Sequence, residues 1–394
     1  MSTKKIGCVL AYAKNHNNYG TFLQGFALIK LIKDLGYEPV IIKYNKKRSI
    51  KELIKVTPLY LLAGGSEMIF QRLKSKLFRK LHDDYNSIII SRTEAVNKEK
   101  QKYLEPLCYE FNGYEQLTEG SKKFGMVLVG SDQVWRPFSL YSKFYNLLFV
   151  DNKIPKAAYS SSFGVSAIPK WQHKMTKTYL DRLNKIGIRE KSGKEIVETI
   201  SSNKAKVVLD PTLLLNEKDW EDFFKDKDTV SDKPYIFCYF LGTSQTHRRE
   251  VEKLRERTGY NIVAIKYMDE FVKKDRNFGD IAPAEAGPFE FLKYIKDAAY
   301  VCTDSFHCTA FSVSFNKQFL TFYRHNKKGI KSTNTRIDSF LGLFNLQNRI
   351  FSNNINEQML DTINYDSVNY ILNELRQDSY DFFKDELALV NEKN

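Results

Sequence analysis

The sequence predicts an α/β protein built on two largely parallel sheets. Three observations lead there. Short apolar runs of strand length recur along the chain and alternate with segments of helical period. Most of these runs end in a polar loop of Gly, Ser, Asp or Asn, and in parallel α/β proteins ligands collect at such strand ends. The same strand–loop–helix order resumes after Pro234, which divides the chain in two.

Residues 6–13 form a nearly unbroken apolar run and read as a buried strand. The loop Lys14-Asn15-His16-Asn17-Asn18-Tyr19-Gly20 follows. Thr21 can cap the next helix, in which Leu28, Leu31, Ile32 and Leu35 recur at helical spacing until Gly36 stops it. A strand over 39–44 completes a β-α-β opening. This loop thus stands before a helix N-terminus, where a ligand contact by Asn18, Tyr19 and Gly20 competes with ordinary turn chemistry at Asn17, Asn18 and Gly20.

Residues 46–123 are mostly helical in pattern and basic, without catalytic clusters. A strand over 124–129 ends in Gly130-Ser131-Asp132-Gln133-Val134-Trp135-Arg136-Pro137. A glycine directly after a strand lets a ligand approach the backbone, and Pro137 ends regular pairing. A strand over 156–162 closes at Phe163-Gly164, and residues 171–183 are amphipathic. Ile186-Gly187-Ile188 then delivers Arg189 at a strand end, ahead of a helix over 194–200. Val207-Val208-Leu209 is a further strand, stopped by Asp210-Pro211-Thr212.

The charged stretch 216–234 holds the domain boundary. Beyond it come a strand over 235–241 ending in Gly242-Thr243-Ser244, a polar helix over 247–257, a strand over 262–267 and a helix over 288–299. The densest stretch is Val301-Cys302-Thr303-Asp304-Ser305-Phe306-His307-Cys308-Thr309-Ala310. It reads as strand, tight polar turn and helix start, with an acid, a hydroxyl and an imidazole inside four residues. His307 falls near a helix N-terminus, whose free N–H groups favour an anion. Thr303, Asp304 and Ser305 are also ordinary N-cap residues. With a last strand over 319–323, this half reads as a second Rossmann-like domain.

Composition narrows the function classes. The 394 residues suffice for two or three domains. With 42% hydrophobic and 27% charged residues the chain is of ordinary globular type. The aromatic share of 14% suits carbohydrate contacts as well as packing. A net charge of +14 favours anionic partners. Much of it sits in two blocks, Lys43, Lys46, Lys47, Arg48, Lys51 and Lys55, then Arg72, Lys74, Lys76, Arg79 and Lys80. Either block can also be a solvated helix face.

Five cysteines, odd in number and without a C-x-x-C, read as buried thiols in a reducing compartment. No signal peptide opens the chain, and no apolar run approaches the ~18 residues that span a bilayer. A cytoplasmic, soluble protein is expected. P-loop, G-x-S-x-G, H-E-x-x-H and G-x-G-x-x-G signatures are missing, as is metal-ligand spacing. No metal or cofactor is therefore expected. Nor does any recognition-helix or RNA-binding signature support a nucleic-acid partner. What remains is a set of polar loops at strand ends with one arginine and one histidine among them. Arginine's planar fork suits a carboxylate or phosphate, and a histidine can move a proton, worth roughly 10²–10⁴ in rate. The residues point to a two-domain α/β protein that handles an anionic small molecule in a cleft.

Seven short motifs, in order, resemble the polysaccharide pyruvyl transferase family. They are Asn18-Tyr19-Gly20-Thr21-Phe22-Leu23-Gln24, Gly130-Ser131-Asp132-Gln133-Val134-Trp135, Tyr159-Ser160-Ser161-Ser162-Phe163-Gly164 and Arg189-Glu190-Lys191-Ser192-Gly193. Leu209-Asp210-Pro211-Thr212-Leu213-Leu214, Thr303-Asp304-Ser305-Phe306-His307 and Thr335-Arg336-Ile337-Asp338-Ser339 complete the set. Two positions depart from the family pattern. Cys308 stands where the family has glycine, which would narrow the pocket, and Gly25 replaces an alanine-like residue.

The resemblance implies a GT-B-like fold. An N-terminal Rossmann-like domain over 1–230 would serve the acceptor, and a C-terminal one over 231–350 the donor. Helices over 351–394 would cross back onto the first. It implies phosphoenolpyruvate as donor, a sugar of a surface polysaccharide (an exopolysaccharide) or glycan precursor as acceptor, and a pyruvate ketal as product. Acceptors in that setting are often lipid-linked, so residues 43–80 are expected to rest on an anionic inner membrane face.

In these terms His307 is the general acid/base and Arg189 grips the donor's carboxylate or phosphate. The helix start after Asp304, Ser305 and Phe306 adds N–H groups, and Arg336 is a second cation. Asn18, Ser131 and Asp132 face the acceptor. Arg189 can instead be an ion-pair partner of Glu190 or Asp210, Asp132 a turn cap, and Trp135 core. The rival reading is a GT-B glycosyltransferase that uses a nucleotide sugar.

Overall fold

The computed structural model describes residues 5–11, 18–46, 50–266, 272–324 and 335–392. Seven strands form one parallel sheet: β1 (Lys5–Val9), β2 (Glu38–Asn45), β3 (Cys108–Asn112), β4 (Met126–Val129), β5 (Lys156–Ser161), β6 (Lys185–Ile188) and β7 (Lys206–Val207). Their order is β3-β2-β1-β4-β5-β6-β7. A second parallel sheet holds β8 (Tyr235–Tyr239), β9 (Asn261–Ile265), β10 (Tyr300–Thr303) and β11 (Gln318–Thr321), in the order β11-β10-β8-β9. Strand order reverses between β1 and β4 in the first sheet and between β8 and β10 in the second. Such a reversal leaves a crevice beyond the strand ends, because successive connections depart to opposite faces. The C-terminal ends of β1, β4 and β10 all point there.

Central strands buried on both faces must be apolar throughout. Val127, Leu128 and Val129 of β4, and Ile236, Phe237 and Cys238 of β8, are at most 1% exposed. The helix Tyr19–Asp34 lies between the two sheets. Its Phe26 packs on Trp220, Phe223 and Phe289 at ring distances of 5.8, 4.8 and 5.4 Å. Truncating such a buried ring to Ala costs roughly 3–5 kcal/mol.

The true N-cap of this helix is Asn18, whose side chain accepts from Thr21 N at 3.2 Å, so the expected Thr21 cap is one turn late. Gly36, at φ +81°, ends the helix as expected. The edge strand β3 fell inside a stretch that reads as helical, because its exposed residues Tyr109 and Glu110 hide the strand pattern. Among the helices after residue 350, Ile355–Leu360 stays with the second sheet, where Ile355 and Met359 join Ile236 and Leu320. The long helix Tyr365–Ala388 crosses to the first. There Ser379 Oγ accepts from Leu209 N at 3.0 Å, and Phe383 packs on Tyr159 at 4.7 Å.

All five cysteines are free thiols. Burial pushes the Cys8 thiol up to about 12, which leaves it inert as a nucleophile. No helix among the described residues is long and apolar enough to cross a membrane.

Glu386 on the crossing helix is fully buried, and neither carboxylate oxygen has a hydrogen-bond partner among the described residues. Desolvation raises its carboxyl well above the usual range, against a smaller lowering by Lys185. A raised acid contributes stability that is full below its unfolded value and fades as pH rises toward the folded one. Glu386→Gln should therefore melt above wild type at pH 7.5, on the order of 1–3 kcal/mol, with the gap closing near pH 4. Differential scanning calorimetry at both pH values checks this.

Candidate active site

The strand-end loops converge on one carboxylate. Asp210 follows β7 and caps the turn Pro211–Leu214, its Oδ1 accepting from Thr212 N at 3.1 Å and Thr212 Oγ1 at 2.8 Å. Its Oδ2 accepts from Ser131 Oγ at 2.6 Å and Arg189 Nη1 at 3.2 Å, and stands 3.7 Å from His307 Nε2. Burial alone would raise this carboxyl. The neighbouring His307, Arg189 and Ser131 hydroxyl outweigh it and hold Asp210 well below the usual carboxylate range. Sequence reasoning named Asp210 only as a strand stop and a partner for Arg189. The available signal was an acid at a strand end ahead of Pro-Thr.

His307 comes from the second sheet. It occupies the second position of the helix Phe306–Ser314, which is capped by Ser305 through Cys308 N at 3.5 Å. Gly20 of the first half closes over it. A Cβ built on Gly20 would sit 2.1 Å from His307 Nδ1, so only glycine fits. Gly20→Ala must displace the imidazole. A misplacement near 1 Å costs roughly 10²-fold in rate, so kcat should fall by that order while circular dichroism stays native.

Arg189 leaves β6 directly into the site. Its guanidinium lies over the Phe306 ring at 4.5 Å, and Nη2 is 3.9 Å from Asp132. Glu190 beside it accepts from Ser162 Oγ at 2.8 Å and Phe163 N at 3.1 Å, which fixes that loop. Asp132 has the left-handed φ of +78° and accepts from Gln133 N at 2.8 Å and Thr21 Oγ1 at 3.1 Å. Burial raises its carboxyl, yet Arg189 and His307 more than reverse this, so it stays ionised.

Arg336, from the helix Thr335–Leu343, stands 5.9 Å from the same Phe306 ring. Burial, then the positive charges of Arg189 and Arg136, push its guanidinium well down. Two guanidiniums and an imidazole therefore crowd one buried spot. His307 Nε2, Arg189 Nε and Nη2, and Arg336 Nε are buried and make no hydrogen bond among the described residues. Buried cations that repel one another and keep unspent donors suit an anionic guest.

The structure gives several expected site residues partners within the protein, which corrects the roles expected of Tyr19, Ser131 and Asp304. Tyr19 is a strut: its hydroxyl donates to Ala286 O at 2.7 Å and its ring stacks on Phe291 at 4.8 Å. Ser131 is fully buried with its hydroxyl given to Asp210, so it offers no face to a sugar. Asp304 turns toward the second sheet, accepting from Leu241 N at 2.6 Å. Phe306 is the platform beneath two guanidiniums, and Ser305 is the cap. Asn18 caps its helix. Trp135 is core, packed on Phe163 and Tyr179 with Nε1 donating to Tyr145 O. Cys308 is fully buried within the main core cluster, so it does not narrow the pocket.

Of the basic blocks, Lys43 pairs with Glu105, and Lys47 and Arg48 lie outside the described residues, as does Asn17 of the first loop. Among the described residues no group of three His, Cys, Asp or Glu side chains could hold a metal ion.

A protein-family model for polysaccharide pyruvyl transferase matches residues 18–326. The chain belongs to the polysaccharide pyruvyl transferase family. The match begins at the Asn18 cap and takes in Asp132, Arg189, Asp210 and His307, while Arg336 lies just beyond it.

As a member of that family the protein is a transferase. No curated protein matches the chain. Among solved structures, a putative UDP-N-acetylglucosamine 2-epimerase from Listeria monocytogenes is similar at a TM-score of 0.50 and 10% identity, covering 99% of this chain and 94% of its own. The UDP-GlcNAc 2-epimerase from Neisseria meningitidis bound to UDP-GlcNAc gives 0.45 and 11%, with 95% and 100% covered. MurG from Acinetobacter baumannii gives 0.42 and 9%, with 98% and 94% covered. The Listeria likeness is one of fold alone, and with the two facing parallel sheets it marks the architecture as GT-B-like.

Proposed function

We propose that this transferase moves the three-carbon unit of phosphoenolpyruvate onto two hydroxyls of one sugar in a surface polysaccharide or glycan precursor, forming a pyruvate ketal. The observation that carries the reading is the knot of Arg189, Arg336 and His307 around Phe306 and Asp210, with a buried nitrogen lacking a hydrogen bond among the described residues on all three. A donor that bears a carboxylate and a phosphate on the same carbon suits two such neighbouring guanidiniums. The first-turn N–H groups of Phe306 and His307 add positive potential.

His307 Nε2 gives a proton to the methylene carbon, which becomes the methyl group, and C2 turns electrophilic. A sugar hydroxyl adds at C2 and its proton restores His307. The C2–O bond to phosphate then breaks, a second hydroxyl closes the ring, and its proton leaves with phosphate. Asp210 steadies the imidazole in its charged form before the proton is given and after it is restored. Closure of Gly20 and Phe306 keeps water away from the cationic intermediate.

The test is incubation with phosphoenolpyruvate and a panel of glycosides, followed by mass spectrometry and phosphate assay. The expected product carries a pyruvate ketal. In parallel, phosphoenolpyruvate should raise Tm by mass action while UDP-sugars leave it unmoved. A shift with UDP-sugars and none with phosphoenolpyruvate would favour the glycosyltransferase reading instead.

A further inference from the structure

The segment between β2 and β3 carries a surface that the site does not use. It runs as a helix Ile50–Tyr60, one π turn Leu61–Gly65, the helix Ser66–Leu81 and the helix Asp83–Tyr103. On Ser66–Leu81, Ile69, Leu73 and Leu77 recur every four residues, and Phe70 and Leu81 fall beside them. At 100° per residue these five positions span an arc of about 120°, an apolar stripe of the width that normally faces a core. Here it faces solvent: Phe70, Leu73, Leu77 and Leu81 are 68%, 61%, 61% and 67% exposed. Ile54 and Leu62 on the preceding turns are exposed too. A soluble chain seldom leaves so continuous an apolar ridge open unless something covers it.

Charge complementarity identifies what covers it. Residues 50–81 contain seven Lys or Arg against two Glu. Lys76 falls just outside one edge of the stripe, Lys80 just inside that edge, and Lys74 just outside the other, all exposed. Lysine heads flanking an apolar arc are the pattern of a helix lying in a membrane interface, its apolar side among acyl chains and its amines at anionic headgroups. A second copy of this chain would bring the same basic edges together and repel.

Placement agrees. β2 runs parallel to β1 and β4, so the segment leaves the sheet on the side where the active-site loops open. Tyr60 packs edge-on against Phe138 at 6.1 Å, just beyond the Asp132 loop.

We infer that the ridge on residues 54–81 seats the protein on an anionic membrane surface, with the active-site mouth beside the headgroups. Taken with the proposed reaction, this favours a lipid-linked acceptor, though the docking itself does not depend on that reaction.

The test is vesicle flotation of the full chain with phosphatidylcholine alone or with one third phosphatidylglycerol, no donor being present. Wild type should float with the anionic vesicles at least ten-fold better than with neutral ones. L73D/L77D should lose this, and so should K74E/K76E/K80E. These positions are exposed, so both variants keep the native circular dichroism. Equal flotation with neutral vesicles, no flotation by wild type, or undiminished flotation of L73D/L77D each overturns the inference. So does light scattering that shows a dimer dissolved by L73D/L77D without vesicle binding, which would make the ridge a contact between copies. Because turnover is not read, failure here leaves the proposed chemistry standing, and failure of the chemistry leaves the docking.

Discussion

His307→Gln is expected to lower acceptor-dependent phosphate release from phosphoenolpyruvate by roughly 10²–10⁴, the range that a positioned general acid supplies. Glutamine keeps polar reach and approximate size in a pocket already closed by Gly20, so folding should survive. It cannot deliver a proton to carbon. KM for phosphoenolpyruvate should change little, since in the proposed reaction Arg189 and Arg336 hold the anion. A stopped phosphate assay with native circular dichroism checks both halves of this expectation. Activity within a few-fold of wild type would remove His307 from the chemistry.

Asp210→Asn should produce a comparable loss by a different route, accompanied by lower stability. The carboxylate is buried and holds Ser131, Arg189 and His307 at once. Removing one member of a buried charged set costs about 3–5 kcal/mol, because the partner is left uncompensated. The sign of the pH dependence follows from the depressed carboxyl. Its contribution is present above the unfolded aspartate value, near ~3.9. It is lost as pH falls from there toward the folded value. Urea midpoints should therefore separate wild type from D210N most at pH 5–7 and converge as pH drops below about 4. A gap that stays constant from pH 7 to pH 3 would show that the ionised form contributes nothing special.

The pattern of strands was legible because buried parallel strands need unbroken apolar runs, and β1, β4, β8 and β10 have them. β3 was not, since an exposed edge strand has no such need. The convergence of Arg189 and His307 could be anticipated from their positions at strand ends. What joined them could not: Asp210 reads locally as a cap, which it also is, and only the three-dimensional approach of β7 to the second sheet reveals its other oxygen. Ser131 and Tyr19 were misjudged for the opposite reason. Polar residues in a promising loop look available in one dimension, whereas here one hydroxyl serves Asp210 and the other reaches Ala286. The exposed apolar ridge was equally hidden, because Leu and Phe at helical spacing ordinarily mean core.

Gly20 and Asp210 belong to the half that carries the first sheet, His307 to the half that carries the second, and the imidazole is wedged between them. Prising the halves apart would strip this imidazole of both its clamp and the carboxylate beside it. On the proposed chemistry an opened enzyme would be disarmed, and its site would be competent only with the two halves together.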